Sequence, residues 1–239
     1  LIGIEFLKNI LKQVQARGLL TTTKYAIYRM DEPIRVWKLG IRSAMEATDV
    51  YISRSQLGYT DKPDFRAYEP SLEYYPFRKI MDRFICPCGE DVFLDFGSGL
   101  GRVVIMAATF PFKRVIGVEY SQKLYSRASE LTEEVKPRLR CKTVELVKCD
   151  AATYDLPKDV NVFFFSIPFV GETLERVMRN IEKSVTIWPR KIKIIYYHPR
   201  EFEKSIKWND WLVKLADVQF PELYIHRIAI FENCRIPSG

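Results

Sequence analysis

The sequence predicts an α/β fold: a doubly wound, mainly parallel seven-stranded sheet with helices on both faces and a mostly helical N-terminal extension. Three observations predict it. Apolar or alternating runs of strand length recur between helix-like segments from residue 92 onward. The first run leads into a turn with three glycines two apart, DFGSGLG at 95–101. The two runs after it end in or beside an acid, Glu119 and Asp150. Strands that are apolar throughout are buried on both faces, and a sheet sandwiched between helices provides that burial.

The elements follow in order. Residues 4–15 carry Phe6, Leu7, Ile10, Leu11 and Val14 at helical spacing, and a helix packed on its own domain is favoured over one lying on a membrane surface. Residues 21–69 are irregular in period and rich in charge and turn formers, as in a lid or an N-terminal layer. This gives an N-terminal extension or lid over 1–69 and a main domain over 70–239. Pro70 and Ser71 open a helix reaching Phe84, and PCGE turns the chain into the strand VFLDF at 92–96.

A helix over 101–109, the strand RVIGVE (114–119), a helix over 121–134 and the strand TVELVKC (143–149) come next. The strand NVFFFS (161–166) leads to a helix over 172–186, whose Leu174, Val177, Met178, Ile181 and Val185 form one stripe for a sheet face. KIKIIYY (191–197) is a further strand. A helix holding Trp208 and Trp211 then precedes YIHRIAIFE (224–232), a strand suited to an antiparallel edge.

Composition narrows the class. Of 239 residues, 47% are apolar and 28% charged, which excludes a disordered chain. The longest apolar runs, such as VFFFSIPFV, fall short of the roughly 18 residues a spanning helix needs. With no signal peptide pattern at the start, a soluble cytoplasmic protein is expected. Five scattered cysteines do not make a disulfide scaffold, and Cys86 and Cys88 lack a second pair to close a zinc site, so no metal is expected. The net charge of +7 is compatible with nucleic acid, an anionic membrane or an acidic partner and does not choose among them.

The glycine turn says more. In an open parallel sheet, ligands bind beyond the carboxyl ends of the strands, where strand order reverses. Gly97, Ser98, Gly99, Leu100 and Gly101 occupy that place. A dinucleotide fingerprint needs a third glycine where Arg102 stands, and no Lys-Ser or Lys-Thr pair closes a P-loop. Asp95 beside the turn repels phosphate but receives an ammonium group, so the expected ligand has a cationic amino-acid end. Ser98 adds a hydroxyl. Glu119, 22 residues after Gly97, suits the two hydroxyls of a ribose. Asp150 is placed to accept from an adenine amino group, with a backbone amide at Ala151 or Ala152 available for a ring nitrogen.

DFGSGLG, VIGVE and KCDAA together resemble the motif series of class I methyltransferases that use S-adenosylmethionine, over roughly residues 68–232. The resemblance implies a Rossmann-like domain. It also implies a cofactor held by Asp95, Gly97, Ser98, Gly99 and Gly101 at the methionine part, Glu119 at the ribose, and Asp150 with Ala151 at adenine. Tyr68-Glu69-Pro70-Ser71 is similar to the Y-E-P-T run of a largely uncharacterised bacterial subgroup of that family, which brings Tyr68 and Ser71 toward the cofactor. The region also has a faint similarity to Dot1-like lysine methyltransferases.

Ser166-Ile167-Pro168-Phe169 stands where the subgroup has F-N-P-F, with Ser166 as a polar contact and Phe169 as a substrate platform or a core aromatic. His198 replaces the subgroup's Asn at the end of the fifth strand and is the candidate base, since imidazole titrates near neutrality. His226 is expected to be structural or at the surface. The implied activity is methyl transfer to an unidentified protein amine, small molecule or RNA. An NAD-dependent oxidoreductase and a non-catalytic cofactor-binding interaction module are the competing expectations, and the oligomeric state is open.

Overall fold

The computed structural model describes residues 12, 14–16, 18–70, 72–205, 211–220 and 225–234. Its strands are β1 (Val92–Phe96), β2 (Arg114–Glu119), β3 (Val144–Lys148), β4 (Val162–Phe165), β5 (Lys193–Tyr197), β6 (Leu212–Phe220) and β7 (Ile225–Asn233). They form one sheet in the order β3-β2-β1-β4-β5-β7-β6. The first five are parallel, and β7 runs antiparallel to both β5 and β6.

All five residues of β1 are buried, as its apolar run demands. Alternation along the strands splits the core into two layers. Phe93, Val115, Phe164 and Ile195 pack with α2 (Arg42–Ala47), α3 (Tyr74–Ile80), α4 (Arg102–Ala108) and α5 (Gln122–Val135). Leu94, Ile116, Phe163 and Ile194 pack on the other face with α6 (Gly171–Ile187) and α7 (Arg200–Ser205). The stripe Leu174, Val177, Met178, Ile181 and Val185 is buried on that second face. No described helix is long and apolar enough to cross a membrane.

The N-terminal region is more ordered than its sequence suggests. In place of irregular chain over 21–69 there is a 20-residue helix, α1 (Leu19–Lys38), followed by α2. Val36, Ile41, Ala44 and Met45 enter the core of the first face, so this layer is part of the packed body. The helix expected from 70 to 84 begins at Tyr74 and ends in a π-helical turn, Met81–Ile85. Most of the segment 4–15 and all of Ser71 and Trp208 lie outside the described residues.

The C-terminal expectation needs correcting. Trp211 does not belong to a helix but precedes the strand β6, which lies at the edge of the sheet with residues 213–215 exposed. β7 is therefore interior, between β5 and β6, and not the edge itself. Ile228, Ala229, Ile230 and Phe231 are fully buried there, because both neighbouring strands and both helical layers cover them.

Candidate functional site

The chain leaves β1 toward β2 and β3 on one side, then crosses to β4 and β5 on the other. The strand tips diverge at that reversal and open a crevice. A cavity of about 600 Å³ fills it, lined by Asp95, Gly97, Ser98, Gly99, Arg102 and Glu119 on the β1–β2 side and by Ser166, Pro168, Tyr197 and His198 on the β4–β5 side.

The glycine turn is tied to β2. The amides of Gly97 and Ser98 both donate to the carbonyl of Val118, at 2.8 and 3.0 Å. Gly97 has φ +71°, and a β-carbon there would overlap Cβ of Pro168, so this position accepts only glycine without strain. Gly101 does a different job. It caps α4 in the left-handed conformation, faces Ala128 of α5 and does not line the cavity.

Glu119 is 4% exposed, and its carboxylate accepts from the amides of Ser121 (2.7 Å) and Gly99 (2.9 Å) and from the hydroxyl of Tyr59 (3.1 Å). Burial raises its pKa above the usual carboxylate value, against the lowering pull of those donors. Asp95 is 2% exposed, and no described residue donates a hydrogen bond to its side chain. Burial, with the charge of Glu119 added, pushes its pKa well up. Ser98 Oγ is likewise buried without a partner. An acid and a hydroxyl left unsatisfied beside a cavity are groups prepared to meet a ligand.

Arg102 completes the set. It is 8% exposed, donating to the carbonyls of Leu72 and Met45 and to Thr48 Oγ1 at 3.3, 2.9 and 3.1 Å. Those partners are neutral, and among the described residues no acid forms an ion pair with it. A buried cation whose hydrogen bonds all go to neutral groups favours an anion.

Asp150 is placed otherwise than expected. It caps a short 3₁₀ turn by accepting from the Ala152 amide at 3.0 Å, and its other oxygen pairs with Lys62 Nζ at 2.8 Å. Ala151 lines the cavity but the Asp150 side chain does not. Phe169 is 2% exposed and packed against Phe65 and Phe165, so it is a wall and not a stacking platform. Ser166 is half-buried at the cavity. His198 sits there with φ +58°, its amide donating to the carbonyl of Arg227 and its ring 4.1 Å from that of Tyr197. A non-glycine residue in that conformation stores strain, which concentrates at working sites. The backbone of His226 lies in β7, and its side chain is outside the described part.

Residues 51–70 cover the opening. Two isolated bridges hold them, Ile52 to Tyr68 and Phe65 to Phe169. Tyr68 lines the cavity, its ring lies over Gly99 and its hydroxyl donates to the Thr48 carbonyl at 2.9 Å. Lys62 rests over the rings of Tyr120 and Phe65.

The family described as histone methylation protein DOT1 matches residues 79–161. A dimethyladenosine transferase from Plasmodium falciparum superposes with a TM-score of 0.50 at 14% identity, covering 70% of this chain and 63% of that one. The YcgJ protein from Bacillus subtilis also gives 0.50, at 11% identity, covering 69% of this chain and 100% of that one. This is the class I methyltransferase fold. No curated protein matches the sequence.

Within the class I fold, three side chains at or around the cavity carried no motif. Tyr59 and Lys62 lie in a loop without period, and their partners are 60 and 88 residues away. Arg102 had a signal, a lone charge opening the otherwise apolar helix RVVIMAA, but it registered only as a missing glycine.

Proposed function

We propose that the chain is an S-adenosylmethionine-dependent methyltransferase. The observation that carries this reading is one cavity holding an unsatisfied buried acid, Asp95, and a buried cation without an acidic partner, Arg102. An amino-acid end, with its ammonium and carboxylate, answers both charges at once. Glu119, with backbone donors already on it, suits ribose hydroxyls, and Ser98 and Tyr68 border the same space.

S-adenosylmethionine, when bound, supplies a methyl group on a positively charged sulfur, which leaves as a neutral thioether once an acceptor lone pair takes the methyl. The protein's own work is alignment and exclusion of water. Asp95 and Arg102 fix one end of the donor, Glu119 the other, and the cover at 51–70 shields the reacting end. The acceptor enters beside Ser166 and His198. Ser166 orients it by hydrogen bonding, and His198 receives the proton that an amine or hydroxyl acceptor gives up.

Titration calorimetry tests the reading with three probes: S-adenosylhomocysteine, 5′-methylthioadenosine and NAD. S-adenosylhomocysteine should bind tightest. Arg102→Leu should reduce its affinity to that of 5′-methylthioadenosine, which lacks the amino-acid end. A preference for NAD makes the chain an oxidoreductase, and no binding to any probe makes it a non-catalytic module. Transfer of labelled methyl groups to the protein, small-molecule and RNA fractions of an extract reads out the acceptor class.

A further inference from the structure

The two ends of the ligand site are not equally free. At the end assigned to the amino-acid group, no described residue donates to Asp95, and Ser98 Oγ is buried without a partner. At the adenosine end both acids are already occupied, and by the same loop.

Residues 54–62 lie between the bridges Ile52 to Tyr68 and Phe65 to Phe169. The guanidinium of Arg54 draws them into one body, donating to the carbonyls of Tyr59 and Lys62 at 3.2 and 2.9 Å. From that body the Tyr59 hydroxyl donates to Glu119 at 3.1 Å, and Lys62 Nζ donates to Asp150 at 2.8 Å. A hydroxyl therefore stands on the acid suited to ribose hydroxyls, and an N–H donor on the acid suited to an adenine amino group. Burial and the charge of Glu119 hold the Tyr59 phenol protonated, so it stays a donor.

Counting acceptor sites shows that this occupation competes with a ligand. A carboxylate offers about four lone-pair positions. On Glu119 the amides of Ser121 and Gly99 and the hydroxyl of Tyr59 take three of them. Two ribose hydroxyls need two, so one present donor has to leave. The amide of Gly99 is fixed within the glycine turn and that of Ser121 at the cap of α5. Tyr59, on a loop, is the donor able to withdraw.

We propose, resting on the donor assigned above, that residues 54–62 are a built-in competitor for its adenosine half, seated on Glu119 and Asp150 until the donor displaces them. The amino-acid end docks on the open Asp95 and Arg102, and the loop withdraws as the ribose takes the place of the Tyr59 hydroxyl. The two bridges flank the loop and act as its hinges, so the rest of the cover keeps its position. Apparent affinity for the donor is then the intrinsic affinity reduced by the fraction of chains with the loop withdrawn.

Titration calorimetry on the full chain tests this with S-adenosylhomocysteine and 5′-methylthioadenosine, each against wild type, Arg54→Ala and Tyr59→Phe. Arg54 is exposed and touches neither acid, so its loss loosens the loop and leaves the ligand contacts in place. Both variants should bind both probes about threefold to tenfold more tightly, the equilibrium worth of one or two hydrogen bonds. Hydrogen exchange on the wild type supplies a second measurement. Saturating S-adenosylhomocysteine should speed exchange of the amides over 54–62 and slow it over 95–101.

Unchanged or weaker binding in either variant overturns the competitor and makes the loop part of the ligand's wall, as does slower exchange over 54–62. A gain for S-adenosylhomocysteine without one for 5′-methylthioadenosine also overturns it, because the loop occupies only the adenosine half. Binding that emerges only in the variants is the same competition at its limit. If neither wild type nor variants bind a probe, the methyltransferase reading falls and the competitor with it; if wild type binds and the variants gain nothing, only the competitor falls.

Discussion

The cavity has one wall of strand tips and one wall of loop, and the two are held by different physics. On the strand wall, Asp95 and Glu119 lie buried at the tips of β1 and β2, and the glycine turn between them is fixed by two amides on one carbonyl. On the loop wall, residues 51–70 rest on isolated bridges and on side chains that reach back to the strand wall's own acids: Tyr59 to Glu119, Lys62 to Asp150. Glu119 and Asp150 are therefore anchors of the cover. If Glu119 holds the ribose as proposed, ligand binding and cover position are linked through its shared hydrogen bonds.

The largest expected effect separates the walls by stiffness. Gly97→Ala forces a left-handed alanine against Pro168, whose ring carbons and backbone Cα both lie in the way and whose carbonyl is held by the Arg66 amide, and should cost roughly 3 kcal/mol of stability in urea unfolding. Gly99→Ala meets only the ring of Tyr68, on the cover, which moves aside at about half that cost. Equal losses would show the ring of Tyr68 to be held as firmly as the backbone of Pro168.

Glu119→Ala comes next. It leaves the amides of Gly99 and Ser121 and the hydroxyl of Tyr59 without an acceptor, and it removes the proposed ribose contact. The dissociation constant for S-adenosylhomocysteine should rise about a hundredfold, a loss near 3 kcal/mol. Tyr59→Phe touches the loop side of the same contact and should lower stability by about 1 kcal/mol. An unchanged affinity in Glu119→Ala removes this residue from the ribose.

The N-terminal layer adds a pH dependence of its own beside that of the buried acids Asp95 and Glu119. Burial pushes the carboxyl of Glu32 up to about 7, with one oxygen on the Tyr74 amide and the other unpartnered. A carboxyl with a raised folded pKa binds its proton more tightly when folded. Its contribution is therefore full below about 4.5 and is lost as pH rises through about 7. After allowance for partial exposure, the fall should be about 2 kcal/mol. Glu32→Gln should flatten the stability profile between those values.

The same division explains what could be read in advance. Strand tips were legible because a fully buried strand is an unbroken apolar run, and because one strand-helix-strand unit fixes the spacing from Gly97 to Glu119. The class of the sheet followed from those runs. α1 was not legible as a helix, since apolar residues on its docked face and on its exposed face together erase any single stripe, and Pro33 interrupts it. β6 was hidden for the opposite reason: as an edge strand, its exposed Val213 and Leu215 break the simple in-out alternation. Nothing local marks Tyr59 or Lys62, because their meaning lies in partners brought close only by the fold.

The smallest effect is the one that decides what the cover does. The ion pair of Lys62 with Asp150 is partly exposed, with side chains 29% and 21% accessible, and such pairs contribute between about 0.2 and 1 kcal/mol. If Asp150 is to meet an adenine amino group, that pair has to give way first. Lys62→Ala removes the competition, so S-adenosylhomocysteine should bind tighter by about twofold to fivefold, with the gain shrinking as salt is added. Weaker binding in this variant would mean that the pair persists under the ligand. Lys62 would then clamp the cover shut, and Asp150 would serve the loop wall alone.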